Sequence, residues 1–389
     1  MRERIPATSG AGGLSHASGG ADWTARCRSR GPAALLDSCD LAVPSDALAS
    51  PIMQLILALP ALFEARADET AAAPAPALAE LIALAGAPAR EPGGIAAILA
   101  AHYGVAKQMD WPLAPIRVAA LGVPPGDAFW FAADPVIVEV GLTSAELAGI
   151  VDDLERAEAD ALLATLNAHF ASDGLGFVAP QPDRFFVQAS TSPRLSTVAT
   201  RAALRRPLRP LLPQGPDAAI WRRWLSEIEM LLHEHPVNVD RERVGKAQVG
   251  SLWLSEGGTR PAAPRGASIA TYASSGKNGI ASALAAFAGA SSRALPADFR
   301  AAKAEAGPVQ SIVVALDREL DLISIERRWA APARDALAAG SLESVRIVGE
   351  EAGDAIVWDA RRPSLWHRIG GRFKARDLDA LLEAARNGA

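Results

Sequence analysis

The chain has 389 residues, half of them hydrophobic, and a formal net charge of −5 at pH 7. A mildly acidic protein has no overall basic field to attract nucleic acid or anionic lipid, so neither is expected as a partner. No run approaches the roughly eighteen consecutive apolar residues that a membrane helix requires, which predicts a soluble protein with no membrane partner.

Residues 1–52 are rich in Gly, Ser and Ala and show no helical or strand period, a composition typical of a disordered segment. They contain both cysteines, Cys27 and Cys39, so the remaining chain has neither a disulfide framework nor a cysteine metal site. A reducing, cytoplasmic location is expected. The folded domain is predicted over residues 53–389. An alternative interpretation takes Met53 as the true start and the upstream residues as an over-extended reading frame.

Apolar runs and helical periods then alternate along the chain. MQLILALPAL, from Met53, predicts a buried first strand that Pro60 ends. Further strands are predicted at Ile116–Leu121, Phe129–Phe131, Val136–Val140, Val249–Leu254, Gln310–Asp317, Ser344–Val348 and Ala355–Asp359. Helices are predicted over 77–86, 94–104, 142–171, 216–235, Ile280–Ala288, Ile325–Ala338 and Lys374–Arg386. This alternation predicts an α/β fold, with a largely parallel sheet flanked by helices.

A small α+β insertion is predicted between about residues 135 and 215. Its helical part, one or two helices, is expected to start with Thr143 or Ser144 as an N-cap to Glu146. SDGLGFVAPQPDRFFVQAS, which follows, predicts a β-hairpin, because two apolar runs flank a Pro-Asp turn.

The helix over 216–235 is the strongest helix predicted from the sequence. Its apolar stripe consists of Ile220, Trp221, Trp224, Leu225, Ile228, Leu231 and Leu232. Arg and Trp together could stack on nucleic-acid bases. Both Trp side chains fall on the apolar stripe and the arginines on the polar side, which favours core packing.

The end of this helix carries two histidines, His233 and His235. Two residues apart on a helix they point about 200° away from each other, so they cannot share a metal ion unless the helix has already ended. His235 lies on the same face as Leu231 and Leu232, which favours a core or helix-end histidine.

The segment HPVNVDRERVGK is the candidate binding site of the sequence. If a second helix starts with Asn238 as its N-cap, Arg241 and Lys246 could flank an anion beside His235. We therefore consider His235, Asn238, Arg241 and Lys246 a candidate anion site. A capped, solvated helix explains the same residues, and both interpretations stay open.

Three other motifs carry weaker signals. GSLWLSEGG, from Gly250, is a strand followed by a glycine pair, but it matches no phosphate-loop pattern and a tight turn explains it. Asp134, beside Pro135, is interpreted as a turn former. No nucleophile with a neighbouring base is found, so no catalytic residue is predicted.

The ordered string WRRWLSEIEMLLHEHPVNVDRERVGKAQVGSLWLSEGG resembles the RpfE-type bacterial regulatory proteins, a family related to cofactor-independent phosphoglycerate mutase. Three further pieces carry the same resemblance in the same order: DWPLAPIRVAALGVPPGDAFWFAADPV, LNAHFASDGLGFVAPQPDRFFV and LDRELDLISIERRWAAP. Together they cover nearly everything after Met53.

The wider resemblance is to archaeal-type phosphoglycerate mutases. Their His-Pro-x-Asn-x-x-Arg element matches His235, Pro236, Asn238 and Arg241. This resemblance implies an alkaline-phosphatase-like fold with an inserted subdomain. It also implies two divalent metals held by Asp and His side chains, and a Ser nucleophile.

The sequence departs from that pattern where the chemistry should lie. Pro60-Ala61 stands where the metal-binding Asp-Gly is expected, and the next aspartate is Asp68. No Ser occurs between Met53 and Ser144, and the carboxyl-terminal half offers His367 as its histidine after the element. Two-metal phosphoryl transfer needs such groups to clamp the attacking and leaving oxygens.

The element itself also differs from the family pattern. Gly250 replaces an Asn, and Ser255-Glu256-Gly257-Gly258 replaces Trp-Gly-Gly-Gly, so that Glu256 would oppose an anion. We therefore expect no metal and no cofactor, and a catalytically degenerate, mutase-like protein that acts as a binding or regulatory module. Its expected ligand is a phosphorylated or carboxylate small molecule. The alternative is a mutase-like or phosphatase-like enzyme acting on a phosphorylated small acid.

Overall fold

The computed structural model describes residues 53–64, 74–141, 144–264, 266–275, 279–316, 321–362 and 377–388. The leader predicted over 1–52 lies outside the described residues, as do Asp68, Thr143 and His367. The described chain forms two β-sheets with helices packed against them.

The larger sheet has seven strands. They are β1 (Gln54–Leu59), β2 (Ala89–Pro92), β8 (Ile269–Ala273), β9 (Ser291–Arg293), β10 (Ser311–Ala315), β11 (Ser344–Glu351) and β12 (Asp354–Arg361). Their order is β2-β12-β11-β1-β10-β8-β9, and the five strands from β11 to β9 run parallel. Strand β12 is antiparallel to β11, and β2 is antiparallel to β12. The predicted α/β class with a largely parallel sheet is confirmed.

Helices cover both faces of this sheet, which explains why β1 is a continuous apolar run. Leu55, Leu57 and Leu59 face one helical layer, and Ile56 and Ala58 face the other. The first layer holds α1 (Pro76–Ala85), α9 (Phe299–Ala306), α10 (Leu322–Ile325), α11 (Ala331–Ala339) and α12 (Leu378–Arg386). The second holds α2 (Gly94–His102), α3 (Leu113–Ala120) and α8 (Ile280–Phe287).

A π-helical turn, Glu326–Ala330, joins α10 to α11. The buried Glu326 carboxylate accepts hydrogen bonds from the backbone N–H groups of Ala77 (2.7 Å) and Leu78 (3.0 Å). These donors belong to the first turn of α1 and have no partner within that helix, so Glu326 caps α1 from a distant part of the chain.

The second sheet is antiparallel and has five strands. They are β3 (Phe129–Val140), β4 (Ala145–Ile150), β5 (Leu175–Gln181), β6 (Arg184–Ala189) and β7 (Ser251–Thr259). Strand β3 is central and pairs with β4, β6 and β7. Helices α4 (Arg156–Phe170), α5 (Thr200–Ala203), α6 (Ala218–His233) and α7 (Pro236–Arg243) complete this part. That residues 135–215 form an insertion stays a prediction.

Two predicted strand pieces prove to be one strand, β3, that runs straight through Pro135. Strand β6 pairs with β3 up to Ala132, and β4 pairs with it from Val136 onwards. Pro135 falls in the gap between these partners, where a missing N–H breaks no ladder bond. Its carbonyl accepts from the Val151 N–H (2.9 Å).

Two predicted elements are wrong. The strand predicted at Ile116–Leu121 belongs to helix α3, which packs between α8 and β7. A short apolar run that is buried on several sides shows neither a helical nor a strand period, so the sequence pattern cannot distinguish the two. Ala145–Ile150, predicted as helix, is strand β4, because it pairs with Val136–Val140. The helix starts only at Arg156, so Ser144 is not its N-cap; Glu155 is, in a capping box with Glu158.

The helix predicted over 216–235 is confirmed as α6, with Trp221 and Trp224 buried in the core. The hairpin of β5 and β6 is also confirmed. Strands β2, β8 and β9 and helix α9 are not predicted from the sequence, and none of them is longer than eight residues. Among the described residues, no helix is long and apolar enough to cross a membrane.

Candidate ligand-binding cleft

A cleft of about 530 Å³ lies between the carboxyl edge of the parallel sheet and the antiparallel sheet. Ala58, Ala273 and Ala315, at the carboxyl ends of β1, β8 and β10, line one side. Asp134 on β3 and Glu256 on β7 line the opposite side. In parallel α/β sheets, ligands bind at this edge because loops leave the strands there and open a crevice.

The floor of the cleft is apolar. Besides the strand-end alanines, it includes Pro60, Ile95, Leu99, Ile280, Ala281 and Leu316. Apolar walls with a few placed polar groups are typical of small-molecule sites.

The first polar group of the cleft is Asp134. Its side chain is buried, and its carboxylate accepts a hydrogen bond of 2.5 Å from the Thr200 hydroxyl, which is also buried. Thr200 begins the short helix α5, so this bond joins β3 to the segment that follows the hairpin.

The second polar group is an ion pair between Arg117 on α3 and Glu256 on β7. The Arg117 Nη1 donates to Glu256 Oε2 at 2.7 Å, and the side chains are only 17% and 18% exposed. Burial opposes the charge on Arg117, but the carboxylates of Glu256, Asp134 and Asp183 outweigh it and raise the pKa of the guanidinium. Arg117 is therefore charged at neutral pH.

The backbone of Glu256 adopts an unusual conformation, with a φ of 61°. The register of β3 and β7 shows why: Trp130 pairs with Gly258 and Ala132 with Ser255, so residues 256 and 257 together face Phe131. Such a bulge often takes a left-handed residue at its first position, usually glycine. Here glutamate occupies it.

The glycine pair predicted as a tight turn lies inside β7 instead. A Cβ on Gly257 would lie 2.4 Å from the Phe131 ring, and one on Gly258 would lie 2.5 Å from the Pro112 Cβ. These glycines permit close packing of β7 against β3 and the start of α3, rather than binding a phosphate.

A segment that we call the strap, residues 196–203, crosses one side of the cleft. Three side chains from outside the strap hold it. Asp110 accepts from the N–H (2.9 Å) and the hydroxyl (2.5 Å) of Thr197. Trp253 Nε1 donates to the Val198 carbonyl (2.8 Å), and Asp134 accepts from the Thr200 hydroxyl. Burial raises the pKa of Asp110, although its bonds from Thr197 oppose this. The strap thereby places Thr200, Arg201 and Ala202 in the cleft wall.

The remaining charges of the cleft come from both of its sides. Arg184 lies 3.5 Å from the neighbouring Asp183 carboxylate, at the turn of the β5–β6 hairpin. Glu350, near the end of β11, accepts from the Ile95 N–H (3.3 Å) in the first turn of α2. The amino-terminal end of α8, from Gly279 to Ala281, also reaches the lining.

The structure places the four predicted anion-site residues away from this cleft, since none of them lines it. His235, not Asn238, is the N-cap of α7: its Nδ1 accepts from the Val237 N–H (3.2 Å). Its Nε2 therefore carries the proton and donates to the Thr165 hydroxyl (2.9 Å). Burial lowers the pKa of His235, although a hydrogen bond from the imidazole to the Ala161 backbone opposes this.

Asn238 and Arg241 are each 1% exposed. Asn238 donates to the carbonyls of Leu232 (2.7 Å) and Val249 (2.9 Å), and its Oδ1 accepts from the Val249 N–H (2.8 Å). The amide thus joins the end of α6 to the residues before β7.

Arg241 donates to the Ala247 carbonyl (2.6 Å), to both Glu158 oxygens (3.2 and 3.1 Å) and to Asp153. Lys246 lies 3.4 Å from Glu155. The contacts of the four residues tie α7 to α4 and to the residues before β7.

No group of three or more His, Cys, Asp and Glu side chains able to hold a metal ion occurs in the described ranges.

Sequence reasoning missed the residues that line the cleft, above all Asp134. One signal was available: a carboxylate inside the twelve-residue strand FWFAADPVIVEV is flanked by apolar residues on both sides. A charged side chain in such a strand is buried only when it has a partner, which indicates a structured polar site. The positions of Arg117, Thr200 and Glu256 around it follow from tertiary packing alone.

No family model and no curated protein matches the chain. Among solved structures, it is similar to a cofactor-independent phosphoglycerate mutase from Thermoplasma acidophilum, with 14% identity, 86% of this chain and 99% of the other covered, and a TM-score of 0.35. It is also similar to the PH0037 protein from Pyrococcus horikoshii, with 12% identity, coverage of 87% and 98%, and a TM-score of 0.42. At these identities and TM-scores, the similarities say nothing about the activity of this chain.

Proposed function

We propose that the protein is a binding module that holds a small molecule with a carboxylate or phosphate group in the cleft beside Arg117, Arg184 and Arg201. The observation that carries this proposal is the position of the cleft, at the carboxyl ends of β1, β8 and β10, where charged side chains lie beside an apolar floor. The arginines supply planar donors that suit carboxylate and phosphate oxygens.

The proposal includes the relation to the RpfE-type and mutase families that the sequence suggests. In it, the framework serves binding or regulation rather than two-metal phosphoryl transfer. In support, residues at or just after the carboxyl ends of β1, β8 and β10 contribute apolar groups to the cleft: Ala58, Pro60, Ala273, Ala315 and Leu316. A framework that presents methyl groups and a proline ring at these positions suits the uncharged part of a ligand.

A second candidate function is a mutase-like or phosphatase-like enzyme acting on a phosphorylated small acid. It is favoured by one observation: the Thr200 hydroxyl donates to the buried Asp134 carboxylate at 2.5 Å within the cleft. A hydroxyl bonded to a carboxylate base is the arrangement that nucleophilic catalysis requires.

A thermal-shift panel of phosphorylated and carboxylate small acids, with and without Mg²⁺ or Mn²⁺, tests the binding function. A ligand at ten times its Kd stabilises the folded state by about 1.4 kcal/mol, which corresponds to a shift of about 2 °C in Tm for a domain of this size. We expect such a shift for the wild type and its loss in Arg184→Ala and Arg201→Ala.

Arg223→Ala is the matched control, because Arg223 pairs with Glu227 on the exposed side of α6 and does not line the cleft. The proposal is refuted if no compound shifts the wild type, or if Arg223→Ala abolishes binding as the cleft variants do. Turnover of a phosphorylated acid that Thr200→Val abolishes, with Tm retained, would favour the enzyme instead.

A further inference from the structure

The Arg117 guanidinium lies in the cleft, but it is already paired with an acidic side chain of the protein itself. The Glu256 carboxylate sits 2.7 Å from Arg117 Nη1, and both residues belong to the lining. An incoming carboxylate or phosphate needs the same donors, because a guanidinium binds an oxyanion through its N–H groups. Glu256 and an anionic ligand therefore compete for one partner.

The backbone shows that glutamate is an unfavourable residue at this position. Glu256 has a φ of 61° in the bulge between β3 and β7, a conformation that glycine adopts without steric cost. Strained residues of this kind cluster at ligand sites and switch regions. What the glutamate adds over glycine at this position is its carboxylate.

The charge on Arg117 does not depend on Glu256 alone. Asp134 and Asp183 also act on the guanidinium and favour its charged form. With Glu256 turned away, the lining still holds three carboxylates, on Asp134, Asp183 and Glu350, against the three guanidinium groups of Arg117, Arg184 and Arg201. The Glu256 side chain can therefore leave without an unbalanced buried charge.

We propose that Glu256 is a displaceable internal anion that holds Arg117 closed to ligands until a carboxylate or phosphate replaces it. This inference rests on the proposed function and adds the regulation of the same cleft. Since the apparent affinity is the intrinsic affinity reduced by the fraction of open protein, a pair formed about nine-tenths of the time weakens binding about tenfold.

Isothermal titration with inorganic phosphate and with succinate tests this inference. We expect Glu256→Gln and Glu256→Gly to bind one of these probes about tenfold more tightly than the wild type does. The glycine variant also relieves the positive φ, so it keeps the test open if the glutamine variant folds poorly. Arg117→Ala in the Glu256→Gln background is expected to remove the gain.

Glu350→Gln is the matched control, because it removes one negative charge from the same lining without freeing Arg117. Long-range repulsion alone predicts equal gains in Glu350→Gln and Glu256→Gln, and that result would overturn the inference. Wild-type binding with no gain in either Glu256 variant would overturn the inference and leave the proposed function standing. If the wild type and all variants bind neither probe, the inference fails. If, in addition, no compound of the thermal-shift panel raises the Tm of the wild type, the proposed function fails too.

Discussion

Arg241 offers a direct comparison of the two interpretations of the segment HPVNVDRERVGK. If Arg241 orients an anion, Arg241→Ala removes ligand binding and leaves stability intact. The structure instead surrounds a guanidinium that is 1% exposed with the Ala247 carbonyl, Glu158 and Asp153. We therefore expect Arg241→Ala to act on folding.

The contacts of Arg241 set the magnitude. Removing its side chain leaves the Ala247 carbonyl without this donor, which costs about 1–3 kcal/mol where that group stays dry. Glu158 and Asp153 are 21% and 51% exposed, so water compensates part of the lost ion pairs and each adds at most about 1 kcal/mol. The expected loss in the free energy of unfolding is therefore about 1–5 kcal/mol, most of it from the Ala247 carbonyl.

Urea denaturation followed by circular dichroism measures this loss. Lys246→Ala is the matched control: Lys246 and Glu155 are 36% and 74% exposed, so the expected change is below about 1 kcal/mol. If Arg241→Ala unfolds at the wild-type midpoint but no longer binds a ligand of the wild type, the reasoning is refuted and the segment is an anion site.

Two further predictions concern packing and pH. Gly257→Ala puts a Cβ 2.4 Å from the Phe131 ring and should lower the free energy of unfolding, measured in urea, by about 1–3 kcal/mol. Gly176→Ala is the control: its Cβ would have nothing within 4 Å, so the free energy of unfolding should change by less than about 0.5 kcal/mol. Equal urea midpoints for the two variants would contradict the packing argument. Because burial lowers the pKa of His235 below 6.5, the unfolded state binds the proton first, so stability falls as pH drops through about 6.5 and is unaffected above it. His235→Asn keeps an N-cap acceptor and should reduce the loss of stability between about pH 7 and 5, measured by urea unfolding. The loss that remains is due to His102, whose pKa is also lowered by burial and by Arg346. A pH dependence equal to that of the wild type would contradict the assignment to His235.

Sequence patterns predicted an element correctly where its hydrophobic pattern matches the faces that the fold buries. Helix α6 has one apolar face, and β1 and β10 are short runs buried on both faces, so period and length identify them. They failed for α3 and β4. Residues 145–150 become a strand only because β3 offers them hydrogen-bonding partners.

The candidate site shows the same division. The motif that stands out along the chain, His235 to Lys246, is a local cluster whose polar groups serve the connection between α6, α7 and β7. The residues of the cleft are scattered from position 58 to position 353 and share no spacing that a linear pattern could reveal.

The sequence by itself determined the α/β class, most of the helices and strands, and the mildly acidic surface, because hydrophobic period and composition are local properties. Only the tertiary structure decided that Arg117 meets Glu256 and that Asp134 meets Thr200, since these partners lie far apart in the chain and approach each other through sheet register and helix packing. It also decided that residue 256 has a left-handed backbone, because the bulge that requires it exists only where β7 pairs with β3.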